Sequence, residues 1–133
     1  MLFVGRPKMK KTYPADFKNV LLIMLDNLLS LLNMFEVEVV LCGGTLLGCI
    51  RNQLFIEWDY DVDLDVLPGR ENRKRLFDLV KFIKKFPSQT RLNVTTTSLP
   101  VVVKFTPLVP YKLYTNMAFD RTGVPNPTID LFL

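Results

Sequence analysis

Four aspartates at alternate positions are the residues of this sequence best suited to chemistry: Asp59, Asp61, Asp63 and Asp65. They lie in a run that otherwise has the character of a β-strand, where aspartate is depleted, so their presence needs a reason. In an extended chain alternate side chains share one face and are roughly 6.5 Å apart along the backbone. Carboxylates so placed repel one another unless they converge on a cation, and such oxygen ligands suit Mg²⁺ or Mn²⁺.

A glycine pair, Gly43 and Gly44, precedes the aspartates and is followed by Thr45 and, at the end of a short apolar stretch, by Arg51. The pair ends a β-branched run and allows the backbone to approach a ligand closely. Residues 45–51 predict a short helix, whose N-terminal amides would face whatever lies over the glycines and would suit a phosphate. Gly-Gly turns are common, so this segment gains its weight from the aspartates that follow.

The sequence contains no histidine, which excludes several classes of catalyst. Ser-His-Asp and Cys-His nucleophile systems, histidine-bearing zinc sites and histidine acid–base chemistry are all ruled out. Cys42 and Cys49 match no zinc pattern, so we expect small buried core residues, with a disulfide as the alternative. Catalysis would therefore use carboxylates, lysine, tyrosine, cysteine or a metal held by oxygen.

The composition is that of one folded domain. The chain has 133 residues, 49% of them hydrophobic, and a net charge of only +4, which argues against disorder. We expect residues 1–14 to form a basic lead-in and residues 15–133 to form the domain. The basic residues are not interleaved with aromatics on a strand, so the sequence gives nucleic-acid binding little support.

Apolar periodicity predicts the elements that must position these residues. Residues 16–35 predict an amphipathic helix packed on a sheet rather than a membrane span, because polar residues interrupt the apolar run. Residues 37–41 predict a buried strand, 61–67 the acidic strand and 70–86 a second amphipathic helix. Further strands are predicted at residues 91–97, 99–105 and, more weakly, 111–118, which Pro100, Pro107 and Pro110 confine to edges or strand ends. Residues 128–133 predict a closing apolar strand with one aspartate in its middle.

This order of elements resembles the nucleotidyltransferase fold of the DNA polymerase beta type, an α+β fold with a mixed sheet flanked by helices. The sequence is more similar to the LicD/fukutin/fukutin-related-protein family. The family hallmark is Gly-Thr-Leu-Leu-Gly-x-x-Arg followed by Phe-Ile-Pro-Trp-Asp-x-Asp-x-Asp. Residues 44–51 and 55–63 match it, with Glu57 in place of the proline, and residues 129–132 are similar to the family's later Ile-Asp-Leu-Phe strand.

The resemblance implies a phosphotransferase. Such an enzyme moves a phospho-alcohol, of the phosphoribitol or phosphocholine type, from a CDP-linked donor to a glycan hydroxyl. The implied metal ligands for Mg²⁺ or Mn²⁺ are Asp61, Asp63 and Asp130, the last being either a ligand or the base for the acceptor hydroxyl. The implied donor-phosphate residues are Gly43, Gly44 and Thr45. Arg51 either pairs with phosphate or locks the loop against Asp59, and Asp65 is outside the pattern.

The resemblance also carries expectations about extent and location. The family domain continues past its last aspartate, so we expect this chain to be truncated at its C-terminus. Family members suggest the Golgi or secretory pathway, although we see no targeting signal in this chain. Two alternatives stay open: a catalytically inactive relative that binds nucleotide, glycan or protein, and a nucleotidyltransferase acting on nucleic acid, motivated by the charge of +4.

Overall fold

The computed structural model describes residues 15–52, 61–98, 101–108 and 127–133, in which helices and strands are interspersed along the chain. The described helices are α1 (Ala15–Met34), α2 (Gly43–Asn52), α3 (Arg70–Lys85) and α4 (Pro87–Thr90). The described strands are β1 (Val39–Leu41), β2 (Asp61–Val66), β3 (Leu92–Ser98), β4 (Val101–Pro107) and β5 (Thr128–Phe132). The predicted α+β class is confirmed.

The described strands form one mixed sheet in the order β1-β2-β5-β4-β3. β2 and β5 run parallel, and the other neighbouring pairs are antiparallel. The last strand of the chain therefore lies in the centre of the sheet, directly beside the acidic strand. This central position is what brings Asp130 of β5 beside the aspartates of β2.

α1 and α3 cover one face of the sheet and bury the core. Alternation along β2 directs Val62, Leu64 and Val66 toward these helices, with no more than 8% of each residue exposed. The aspartates of β2 therefore lie on the opposite face. The core residues that the two helices contribute include Leu21, Leu28, Leu32, Leu76, Leu79 and Ile83.

One described helix is long and apolar enough to cross a membrane by length and composition. Its 18-residue window, Phe17–Met34, has a mean hydropathy of 1.3. A core helix or a signal sequence passes the same test, so length and composition do not assign a span. The fully buried side chains of Phe17, Leu21 and Leu28 agree with the predicted amphipathic helix packed on a sheet.

Several boundaries differ from the predicted ones. β4 begins two residues later than predicted, and Pro107 falls at its end, where a missing N–H is tolerated. α4 was not predicted, since a four-residue helix has too little periodicity to detect. The predictions for residues 1–14 and 111–118 lie outside the described residues.

A buried asparagine ties together the segments around the start of α3. Asn72 is 6% exposed, and its Oδ1 accepts a hydrogen bond from the Glu38 N–H at 2.7 Å. Its Nδ2 donates to the carbonyls of Glu38, at 3.0 Å, and Leu67, at 2.7 Å. The side chain thus holds the end of β2 against the segment before β1.

We expect Asn72→Leu to lower the free energy of unfolding by about 3 kcal/mol, because it leaves buried backbone groups without partners. Urea unfolding measures this. Asn19→Ala, on the exposed side of α1, is the control and should change the value by about 0.5 kcal/mol or less. Equal effects of the two substitutions would contradict the bridging role of Asn72.

Candidate functional site

Strands β2 and β5 bring three carboxylates together. Asp61 and Asp63 share one face of β2, and the parallel register places Asp130 directly beside Asp63. One carboxylate oxygen from each of the three residues lies within 4.8 Å of the other two. Asp130 is buried, and the other two are half-buried. The structure therefore brings together the three carboxylates predicted as metal ligands from the family resemblance. We call Asp61, Asp63 and Asp130 the acidic cluster.

The carboxylates of the acidic cluster repel one another, so a nearby positive charge stabilises them. At such a separation two full negative charges repel by about 3 kcal/mol at an effective dielectric constant of about 20. Lys104 of β4 reduces this repulsion, because its Nζ lies 2.8 Å from Asp130 Oδ1 and forms an ion pair with it. The antiparallel register pairs Lys104 with Asp130. Lys104 was not among the predicted site residues, although a single charge within an apolar strand was a usable signal.

Gly43 is required by the geometry of the acidic cluster. Its φ is +57°, and a Cβ added to it would lie 2.9 Å from Asp63 Oδ2. Both the backbone conformation and the close approach favour glycine. Because α2 begins at Gly43, the Asp63 carboxylate lies at the positive end of the helix dipole, which stabilises negative charge.

Thr45 holds the main chain of Asp63. Its Oγ1 accepts a hydrogen bond from the Asp63 N–H at 2.7 Å, and the residue is 7% exposed. The Cys42 N–H donates to the Asp63 carbonyl at 3.1 Å. The pairing of β2 with β1 stops at Leu64, yet the N–H and the carbonyl of Asp63 both have hydrogen-bond partners. Thr45 thus acts on the acidic cluster through Asp63.

The structure locates the residues predicted to bind the donor phosphates. Gly43 and Gly44 form the first turn of α2, which begins two residues earlier than predicted. Arg51 lies in the last turn of α2, and its alternative partner Asp59 falls outside the described residues. Phosphate binding by Gly43, Gly44, Thr45 and Arg51 stays a prediction.

The expectation that both cysteines are buried core residues is wrong. Cys42 is half-buried and Cys49 exposed, because β1 is an edge strand and α2 lies outside the apolar core; both thiols are free. Burial, a hydrogen bond with Asp65 and the negative charges of Asp65 and Asp63 raise the pKa of Cys42 to about 11. The raised pKa favours the protonated thiol, which is the less nucleophilic form of cysteine.

The residues of the acidic cluster fit a hard divalent cation. Three carboxylate oxygens are the ligand type that Mg²⁺ and Mn²⁺ prefer, and Asp130 already contacts the cationic group of Lys104. Thr128, which pairs with Asp61 in the register, has a buried hydroxyl without a hydrogen-bond partner in the part of the chain that the structure describes. A buried hydroxyl usually has a partner, which water or a ligand can supply here. Asp65 is exposed and lies outside the cluster.

Comparison with known proteins finds a family match over the part of the chain that contains α2 and β2. Residues 36–102, about half of the chain, match the family model described as LicD/FKTN/FKRP, nucleotidyltransferase domain. The lipopolysaccharide cholinephosphotransferase LicD of Haemophilus influenzae is 37% identical over 71 residues. That match takes in 53% of this chain and 26% of the relative, so the chain aligns with about a quarter of the relative's length. The family match includes Asp61 and Asp63 and ends before Lys104 and Asp130.

Proposed function

This chain belongs to the LicD/FKTN/FKRP family of nucleotidyltransferase domains, and from that premise we propose that it is a metal-dependent phosphotransferase. It moves a phospho-alcohol, of the phosphocholine or phosphoribitol type, from a CDP-linked donor to a glycan hydroxyl. The observation that carries this proposal is the acidic cluster of Asp61, Asp63 and Asp130. The named relative, a lipopolysaccharide cholinephosphotransferase, supports the choice of reaction class.

The acidic cluster addresses the main obstacle to this reaction, which is the negative charge of the diphosphate donor. A divalent cation held by Asp61, Asp63 and Asp130 would neutralise phosphate oxygens and act as a Lewis acid. The chain itself keeps Asp63 in place through Gly43 and Thr45. The acceptor hydroxyl oxygen forms a bond to phosphorus, the bond from phosphorus to CMP breaks, and a carboxylate of the cluster takes the hydroxyl proton.

The start of α2 supplies a place for the remaining phosphate oxygens. Gly43 and Gly44 form its first turn beside Asp63, so their amides lie near the acidic cluster. Main-chain N–H groups at a helix N-terminus bind phosphate without adding a mobile side chain. The amides of Gly43 and Gly44 would hold the phosphate, and the acidic cluster would hold the cation that neutralises it.

Calorimetric titration of the native chain with MnCl₂, with and without CDP, tests the proposal. We expect saturable Mn²⁺ binding and CDP binding that strengthens when Mn²⁺ is present. Transfer from CDP-choline or CDP-ribitol to a glycan acceptor is then measured by release of CMP. A folded chain that binds no Mn²⁺ would contradict the proposal.

A second candidate is a catalytically inactive relative that binds nucleotide, glycan or protein. It keeps the acidic cluster and the start of α2, so it too would bind Mn²⁺ and CDP. Binding of Mn²⁺ and CDP without release of CMP would select this candidate. Residence in the Golgi or secretory pathway stays a prediction from the family resemblance.

A further inference from the structure

Lys104 lies in a row of site residues that crosses the sheet. The registers place Asp63 beside Asp130, and Asp130 beside Lys104, on three neighbouring strands. Their side chains share the face opposite the helices, because Val103 and Phe105, on either side of Lys104, are buried in the core. Lys104 is therefore held at the site by the register of β4 rather than by a flexible loop.

The Lys104–Asp130 ion pair spans the boundary between the interior and solvent. The Lys104 side chain is 39% exposed, whereas that of Asp130 is 11% exposed. The cationic end can thus leave the carboxylate without crossing the core. A lysine side chain is a flexible stem with a compact charge and three N–H donors, so it can exchange one anionic partner for another.

Lys104 contacts a carboxylate that the proposed metal site also needs. Its Nζ donates to Asp130 Oδ1 at 2.8 Å, and a cation held by the acidic cluster would draw on the same carboxylate. Two cations on one carboxylate repel each other and compete for its lone pairs. Binding of a divalent cation by Asp130 should therefore weaken the ion pair and release the Lys104 ammonium toward solvent.

We propose that Lys104 is a phosphate-binding residue, which pairs with Asp130 before the divalent cation binds and with a phosphate of the nucleotide donor afterwards. This inference rests on the proposed function and adds a residue to it. A donor phosphate bound near the acidic cluster would lie within the same face as Lys104. An ammonium–phosphate contact is charge-assisted, so it would orient the donor as well as add affinity.

The proposal predicts opposite changes in two affinities. We expect Lys104→Met to tighten Mn²⁺ binding roughly fivefold, because the competing cation is gone. With saturating Mn²⁺ the same substitution should weaken CDP binding about tenfold or more, because a charge-assisted contact to phosphate is lost. Calorimetry with MnCl₂ and CDP measures both dissociation constants without any need for turnover.

The matched control is Lys74→Met. Lys74 also forms an ion pair, with Asp78 at 3.0 Å, but this pair lies on α3. It should change neither affinity. Since Lys104→Met leaves the Asp130 carboxylate without its cation, Lys104→Gln serves as a second variant that keeps a hydrogen-bond donor and removes the charge. Circular dichroism and thermal unfolding establish that each variant is folded.

The outcomes separate this inference from the proposed function. Tighter Mn²⁺ binding together with weaker CDP binding in a folded Lys104 variant supports the phosphate role. If the native chain binds Mn²⁺ and CDP, but both affinities fall together or neither changes in the folded variants, Lys104 is only structural and the inference is overturned. A native chain that binds no Mn²⁺ overturns the proposed function and the inference with it.

Discussion

Asp63→Asn should weaken Mn²⁺ binding by at least about a hundredfold, because it removes the central carboxylate of the acidic cluster. Asp63 lies between Asp61 on its own strand and Asp130 on the neighbouring strand, so it contributes to both sides of the site. Asparagine has nearly the same shape, and the hydrogen bonds that the main chain of Asp63 forms with Thr45 Oγ1 and the Cys42 N–H do not depend on the carboxylate. We expect phosphotransfer to fall on the order of a thousandfold.

The same substitution should leave the fold intact and relieve repulsion. Three carboxylates become two, which relieves repulsion, while the stabilisation of a negative charge at the start of α2 is lost, so the melting temperature without added metal should stay close to that of the native chain. Asp65→Asn is the matched control, since Asp65 lies on the same strand and face but outside the acidic cluster. Its Mn²⁺ affinity should equal the native value. Native-like Mn²⁺ binding in Asp63→Asn would exclude the cluster as the metal site.

Gly43→Ala should disturb the acidic cluster without touching any of its carboxylates. The added Cβ would lie 2.9 Å from Asp63 Oδ2, a separation at which one of the two groups must shift. The φ of +57° adds a backbone penalty, so we expect the free energy of unfolding to fall by about 1–3 kcal/mol. Because Asp63 is displaced, Mn²⁺ affinity should fall as well, on the order of tenfold to a hundredfold.

Gly69→Ala separates the backbone effect from the contact with Asp63. Gly69 also has a positive φ, of +133°, but a Cβ there would meet nothing within 4 Å. It should lower stability by a similar amount, about 1–3 kcal/mol, and leave Mn²⁺ affinity unchanged. Urea unfolding and Mn²⁺ titration of both variants give the comparison. If both variants keep native Mn²⁺ affinity, Gly43 does not position Asp63.

The elements with the strongest local patterns were predicted within a residue or two. α3 was expected at 70–86 and is Arg70–Lys85, because its apolar residues recur at helical spacing and its basic residues face solvent. The acidic strand was expected at 61–67 and is Asp61–Val66. In both cases neighbouring residues specify the period, and tertiary packing reinforces it.

The errors arose where the sequence pattern is too short to define an element or does not indicate how deeply a residue is buried. The cysteines were assigned to the core because cysteine is commonly buried, but β1 is an edge strand and no described residue of α2 belongs to the core cluster. The start of α2 was missed by two residues because Gly43 and Gly44 have poor helix propensity. Its position beside Asp63 instead depends on two hydrogen bonds, one that the Cys42 N–H donates to the Asp63 carbonyl and one that Thr45 Oγ1 accepts from the Asp63 N–H.

Some residues of the site could be predicted from the local sequence pattern, whereas others are placed only by the tertiary structure. Asp61 and Asp63 could be placed on one face from their spacing alone, because strand alternation is a local property with a period of two residues. The position of Asp130 was implied by family resemblance, and the strand order and parallel register bring it to Asp63. Lys104 joined the site only in three dimensions, because register between distant strands is set by the packing of the whole sheet.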